Sequence, residues 1–166
     1  MAARELDLKL LDGGKEYLAS LERLGLRPDG LFWAFDKTIS KFVLVLVTDE
    51  YDYAGPLKLS STLFEAYRKS ATPIEIDPFI VRMHSPYHAI IQQMIGFQVK
   101  GVSITVSDTK DGPQRDITLT GPMMTYVADL EISSDWVYRF EIPEKRKTVD
   151  LMRKWKRFEN NVARAA

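Results

Sequence analysis

Hydrophobic residues change their spacing several times along this chain, and each change marks an element. Leu10, Gly14, Tyr17, Leu18, Leu21 and Leu24 recur at three- and four-residue steps, which predicts an amphipathic first helix. Gly25 followed by Leu26 predicts its end, a left-handed glycine with a hydrophobic contact. Gly13 and Gly14 each cost a helix about 1 kcal/mol against alanine. Either the helix starts after them or something packs closely there. No strand precedes the pair and no further glycine follows at the required spacing, so it is not a phosphate loop.

Residues 31–48 carry the clearest pattern. An aromatic run, Leu31 to Phe35, enters a short polar connection, and the β-branched and leucine run Phe42 to Val47 leaves it. Ladder-forming residues on both sides of a polar turn predict a β-hairpin. Phe42 to Val47 contains no polar residue, so both faces of that strand should be covered by protein. Asp49 to Pro56 then reads as a polar and aromatic loop, and Leu59, Leu63, Phe64 and Tyr67 as a second helix that Thr72-Pro73 ends. Ile74 to His84 is strand-like, with Phe79, Val81 and Met83 on one face; Pro78 near its start points to an edge. Ser85-Pro86 is an N-cap and first-turn pair for a third helix bearing Ile90, Ile91, Met94 and Ile95.

Beyond Gly101 the period becomes two. Val102, Ile104 and Val106 alternate with polar residues, as do Ile117 and Leu119 after the Lys110–Pro113 turn, predicting a second hairpin with one wet face. Tyr126 to Ile132 is read as a strand, and Trp136, Tyr138, Phe140 and Ile142 alternate as another that Pro143 closes. The segment from about 144 to 164 is a basic amphipathic helix striped by Leu151, Trp155, Phe158 and Val162. The expected fold is α+β: one domain over 1–166, a mainly antiparallel sheet built from two hairpins or meanders, and about four helices packed on it.

Composition narrows the function classes. Lys plus Arg equals Asp plus Glu, 23 each, so no overall field attracts nucleic acid or an anionic membrane. Cysteine is absent, which excludes disulfides, a thiol nucleophile and thiolate metal sites. The longest apolar run is the six residues Phe42 to Val47, far too short to span a bilayer. Charges at Arg4, Glu5, Asp7 and Lys9 break any signal-peptide core. The expectation is a soluble cytoplasmic protein with no membrane contact.

Four features are candidates for chemistry or contact. His84 and His88, the only histidines, can share a metal at four-residue spacing, but zinc usually needs a third ligand. Asp77, or the group Asp49, Glu50 and Asp52, would have to fold against them, and a surface His pair at a loop–helix junction is the competing account. Asp49, Glu50 and Asp52, interleaved with Tyr51 and Tyr53, offer carboxylates for a cation or for acid–base work; the run lacks the remaining EF-hand positions, and solvated acids after a strand explain it as well. The chain from residue 144 onward holds eight basic residues against three acidic ones, a local net of +5 that leaves −5 for the rest. Here Lys154, Lys156 and Arg157 are the candidate partner-binding cations, with Tyr51 and Tyr53 as aromatic contacts, unless the helix simply buries its stripe and leaves its charges in water. The aromatics could instead line a ligand pocket, although most fall on strand periods and belong to the core. Gly-x-Ser-x-Gly, Walker A and dinucleotide fingerprints are all absent. With no catalytic constellation and no cofactor motif, the reading is a small non-catalytic interaction protein, an accessory, regulatory or inhibitory subunit whose partner is another protein or a second copy. Nucleic-acid binding through the basic helix is the alternative, and a metal-dependent hydrolase around His84 and His88 the third.

Overall fold

The computed structural model describes residues 4–96, 107–109, 112–114 and 124–165. Helix α1, Leu8–Arg23, is capped by the Asp7 carboxylate, which accepts from the Lys9 amide at 2.9 Å. It ends in a Schellman turn: Gly25 has φ +94°, Leu26 N–H donates to Leu21 C=O and Gly25 N–H to Glu22 C=O. The helix runs straight through Gly13 and Gly14, so close packing is the correct account of the pair. A Cβ on Gly14 would collide with the Tyr138 ring. Tyr138 Oη there accepts from Trp33 Nε1 at 2.9 Å and donates to Leu11 C=O. Gly14→Ala should therefore cost about 1–3 kcal/mol by overpacking despite alanine's better helix propensity, a loss that urea unfolding reads directly.

Strands β1 (Gly30–Asp36) and β2 (Lys41–Val47) form the expected hairpin, in register from Gly30 opposite Val47 to Asp36 opposite Lys41. The chain continues through α2 (Glu50–Ala54), α3 (Pro56–Arg68), a 3₁₀ turn at Pro78–Ile80 and β3 (Val81–His84). After α4 (Ala89–Gly96) come a two-stranded ladder, β4 (Ser107–Thr109) with β5 (Gly112–Gln114), and then the hairpin β6 (Met124–Val127) and β7 (Leu130–Ser133). A 3₁₀ turn at Ser134–Trp136, β8 (Val137–Phe140) and α5 (Thr148–Arg164) complete the chain. The main sheet has the order β3-β2-β1-β7-β6, with β8 also pairing β1. Thus β1 is central: one edge is wholly taken by β2, and the other is shared between β8 near its start and β7 at its end.

The α+β class is as expected, but the sheet is mixed. β3 runs parallel to β2, because the α2–α3 crossover returns the chain to the end of the sheet it started from. Among the described residues there are five α-helices, the additional one being α2, in the stretch read as a loop. Three strand assignments also shift. Ile74–Ile80 is not strand, and β3 is confined to four residues. Tyr126–Ile132 is a tight hairpin turning at Ala128, which has φ +51°. Trp136 belongs to the 3₁₀ turn before β8. Of the second expected hairpin only the short β4–β5 ladder is described, and Val102, Ile104, Val106, Ile117 and Leu119 lie outside the described residues.

Both faces of the hairpin are covered. Leu31, Trp33, Leu44 and Leu46 pack against Tyr17 and Leu21 of α1, Leu59 and Leu63 of α3, and Trp155, Phe158 and Val162 of α5. On the other face Phe32, Val43, Val45 and Val47 meet Ile91 and Met94 of α4 and Ile132 of β7. Among the described residues, no helix is long and apolar enough to cross a membrane.

Candidate functional site

The hairpin register brings buried charges together at one end of the sheet. Asp29 precedes β1 and, because Gly30 lies opposite Val47, meets the residues that leave β2. Its amide donates to Val47 C=O at 2.8 Å, and its carboxylate accepts from the Asp49 amide at 3.2 Å. Arg146, from the irregular segment between β8 and α5, spans the two acids: one guanidinium nitrogen donates to Asp29 Oδ1 at 2.9 Å and the other to Asp49 Oδ2. Lys154 of α5 reaches in from the side, donating to Arg27 C=O at 2.9 Å with its ammonium 3.7 Å from Asp49 Oδ1.

Glu50 is the anomaly of this cluster. The residue is 0% exposed, and neither carboxylate oxygen has a hydrogen-bond partner among the described residues. Burial raises its pKa to about 7; Asp49 and Asp29 push the same way, while Lys154 and Arg146 oppose them. Burial likewise raises Asp29 and lowers Lys154. When Glu50 is protonated, the two carboxylates of Asp29 and Asp49 face the two cations of Arg146 and Lys154, and the cluster carries no net charge.

A second polar knot ties α2 to the turn between β3 and α4. His84 Nδ1 and His88 Nδ1 lie 3.2 Å apart, and the Ser85 amide also donates to His88 Nδ1 at 3.2 Å. Ser85 Oγ donates to Asp52 Oδ2 at 2.6 Å and accepts from the Tyr87 amide at 3.1 Å. Tyr51 meets the His88 ring edge-on, 4.9 Å between centroids.

The other candidates fall in different places. Asp77 accepts from the Phe79 amide and caps the 3₁₀ turn, at the far end of β3 from His84. Among the described residues no group of three His, Asp or Glu side chains is arranged to hold a metal ion. Of the cations nominated on α5, Lys154 turns inward, Arg157 lays its methylenes against Gly25, and Lys156 is exposed. Trp155, Phe158 and Val162 are buried, so the apolar stripe of α5 is scaffold. Tyr51 is half-buried against the core, and Tyr53 is exposed.

A patch that periodicity concealed lies at the C-terminal half of α3. Leu59, Leu63 and Ala66 face the core, while Lys58 and Lys69 tie one flank to α5 through Glu159 and the carbonyls of Val162 and Ala163. The opposite flank carries Phe64 and Tyr67, one turn apart, and Leu57 two turns before Phe64, with Ser60 and Ser61 at the turn between. Phe79 stacks edge-on against Phe64 at 4.9 Å, and Tyr67 Oη donates to Ile74 C=O at 3.2 Å. Leu57, Phe79 and Ile74 are 83%, 85% and 77% exposed. The available signal was the pair Phe64 and Tyr67, lying beside the Leu59–Leu63 stripe rather than on it. For the Asp29–Arg146 pairing, 117 residues apart, the sequence carries no signal.

No family model, no curated protein and no solved structure matches this chain.

Proposed function

We propose that this chain is a small non-catalytic interaction protein, an accessory, regulatory or inhibitory subunit, that docks another protein on the outer flank of α3. The observation that carries the reading is the cluster of Phe64, Tyr67, Ile74 and Phe79, with Leu57 further along the same flank. Single exposed apolar side chains are ordinary on protein surfaces, but a cluster of large ones marks a contact site. Aromatic anchors such as Phe79 are the kind of residue that dominates binding energy when a partner covers it. The turn beside it, Ser70 to Ile74, borders a groove against Tyr67 and Arg68, which gives the cluster a shaped edge. The inward commitment of Arg146 and Lys154, together with the burial of the α5 stripe, turns the weight of the argument away from the basic helix and toward α3.

The test is a pull-down from the native host paired with light scattering across a concentration series. Wild-type protein should capture a defined partner or self-associate, and Phe79→Ser with Ile74→Ser should weaken that association at least about tenfold. The same pair of changes should alter folding stability by no more than about 0.5 kcal/mol each, because the side chains are exposed. A monomer that captures nothing and turns over a substrate would overturn the reading.

A further inference from the structure

We propose that His84 and His88 form a proton-operated latch that fastens α2 to the turn before α4 and releases it when the pair takes up a second proton. The argument rests on donors and acceptors. The Ser85 amide has one hydrogen and donates it to His88 Nδ1, so His88 presents a lone pair there and carries its own proton on Nε2. His84 Nδ1, 3.2 Å from the same atom, must then be the protonated partner. A first additional proton enters at His84 Nε2 and leaves the contact intact. A second has only His88 Nδ1 to go to. There it removes the acceptor shared by Ser85 and His84 and sets one N–H against two others.

The surroundings decide where this happens. On the β3 side Arg82 disfavours further positive charge, and burial, His88 and Arg82 together hold His84 below its ordinary pKa. From α2, the Asp52 carboxylate is engaged by Ser85 Oγ and the Tyr51 ring covers His88. The turn itself contributes Tyr87, whose pKa is raised by burial and by Asp49, Asp52 and Asp29, with Arg146 opposing. While the latch is closed, the hydrogen-bond contacts of His88 Nδ1 among the described residues are the Ser85 amide and His84 Nδ1. Opening frees Ser85, and with it the Asp52 bond that pins α2. Gly55, with φ +87°, is the joint between α2 and α3.

Amide hydrogen exchange of the intact protein, followed by NMR from about pH 7.5 to about pH 5 and corrected for intrinsic rates, tests the latch. In the wild type, protection of the Ser85, Tyr87 and His88 amides should fall at least about tenfold on acidification, while the Thr48 amide, bonded to His84 C=O, keeps its protection. His88→Gln offers the Ser85 amide an oxygen that takes no proton, so its protection should be flat with pH. His84→Gln can still donate to His88 Nδ1 but adds no charge, and its loss of protection should move to higher pH. A wild-type profile that is flat, a His88→Gln profile that falls as the wild type's does, or a wild-type profile that a chelator alters and zinc restores would each overturn the proposal.

Discussion

Arg146→Met should destabilise the fold by about 3–5 kcal/mol, the usual result of removing one partner from a buried ion pair. Asp29 and Asp49 have side chains only 2% and 3% exposed, so neither carboxylate can recover its lost hydrogen bond from bulk water. Methionine keeps the length and apolar volume of the side chain, which leaves the charge as the variable. Adding Asp49→Asn to Arg146→Met should restore part of the loss, because the uncompensated anion is then gone; a double-mutant cycle in urea gives the coupling. If both single variants lie within about 0.5 kcal/mol of wild type, the bridge is a surface ornament and the description of this end of the sheet fails.

Glu50→Gln should have the opposite sign and a strong dependence on pH. The folded-state pKa of about 7 is raised above the ordinary carboxylate value, so the native state binds more protons than the unfolded state in between. The stability associated with protonated Glu50 is therefore complete below about pH 4.5 and is lost as pH rises through about 7. The total swing is about 3 kcal/mol. Glutamine is neutral throughout and nearly the same shape. The variant should match wild type in acid and exceed it by up to about 3 kcal/mol above neutrality, read as the difference between two stability–pH curves. Parallel curves would show that Glu50 finds a partner or reaches water in the folded state.

Glu50 and Arg146 also show where a sequence stops being informative. The hairpin was legible because its cause is local: apolar runs on both sides of a polar turn leave few other ways to satisfy the backbone. The same holds for α1, where Gly25 and Leu26 close the helix within one turn, and for α5, whose four-residue stripe found the core. What α5 would bury could be read; what Lys154 and Arg146 would touch could not. Their partners come from Arg27, Asp29 and Asp49, more than ninety residues away, and pairing over that distance follows from sheet register, not from spacing. The parallel placement of β3 was hidden for a related reason. Its four residues are too few to announce a direction, and Ile74–Ile80, which looked like their continuation, is a turn that pushes Phe79 outward. The extra helix α2 escaped notice because three carboxylates and two tyrosines after a strand resemble a solvated loop. In the fold, Glu50 is instead drawn inside and Tyr51 closes over His88. The aromatics of the outer flank of α3, Phe64 and Tyr67, were present in the sequence all along. A helical side chain beside the core stripe looks the same whether it is covered by its own chain or by another.

A partner seated on the outer flank of α3 would cover Phe79, and that contact can be read directly. A photo-crosslinking amino acid placed at position 79 in the living host, with position 156 on the exposed basic face of α5 as the comparison, addresses it in one gel. The account predicts a discrete crosslinked protein species from position 79 and little or none from 156. Crosslinks from 156 alone, whether to protein or to nucleic acid, would contradict it.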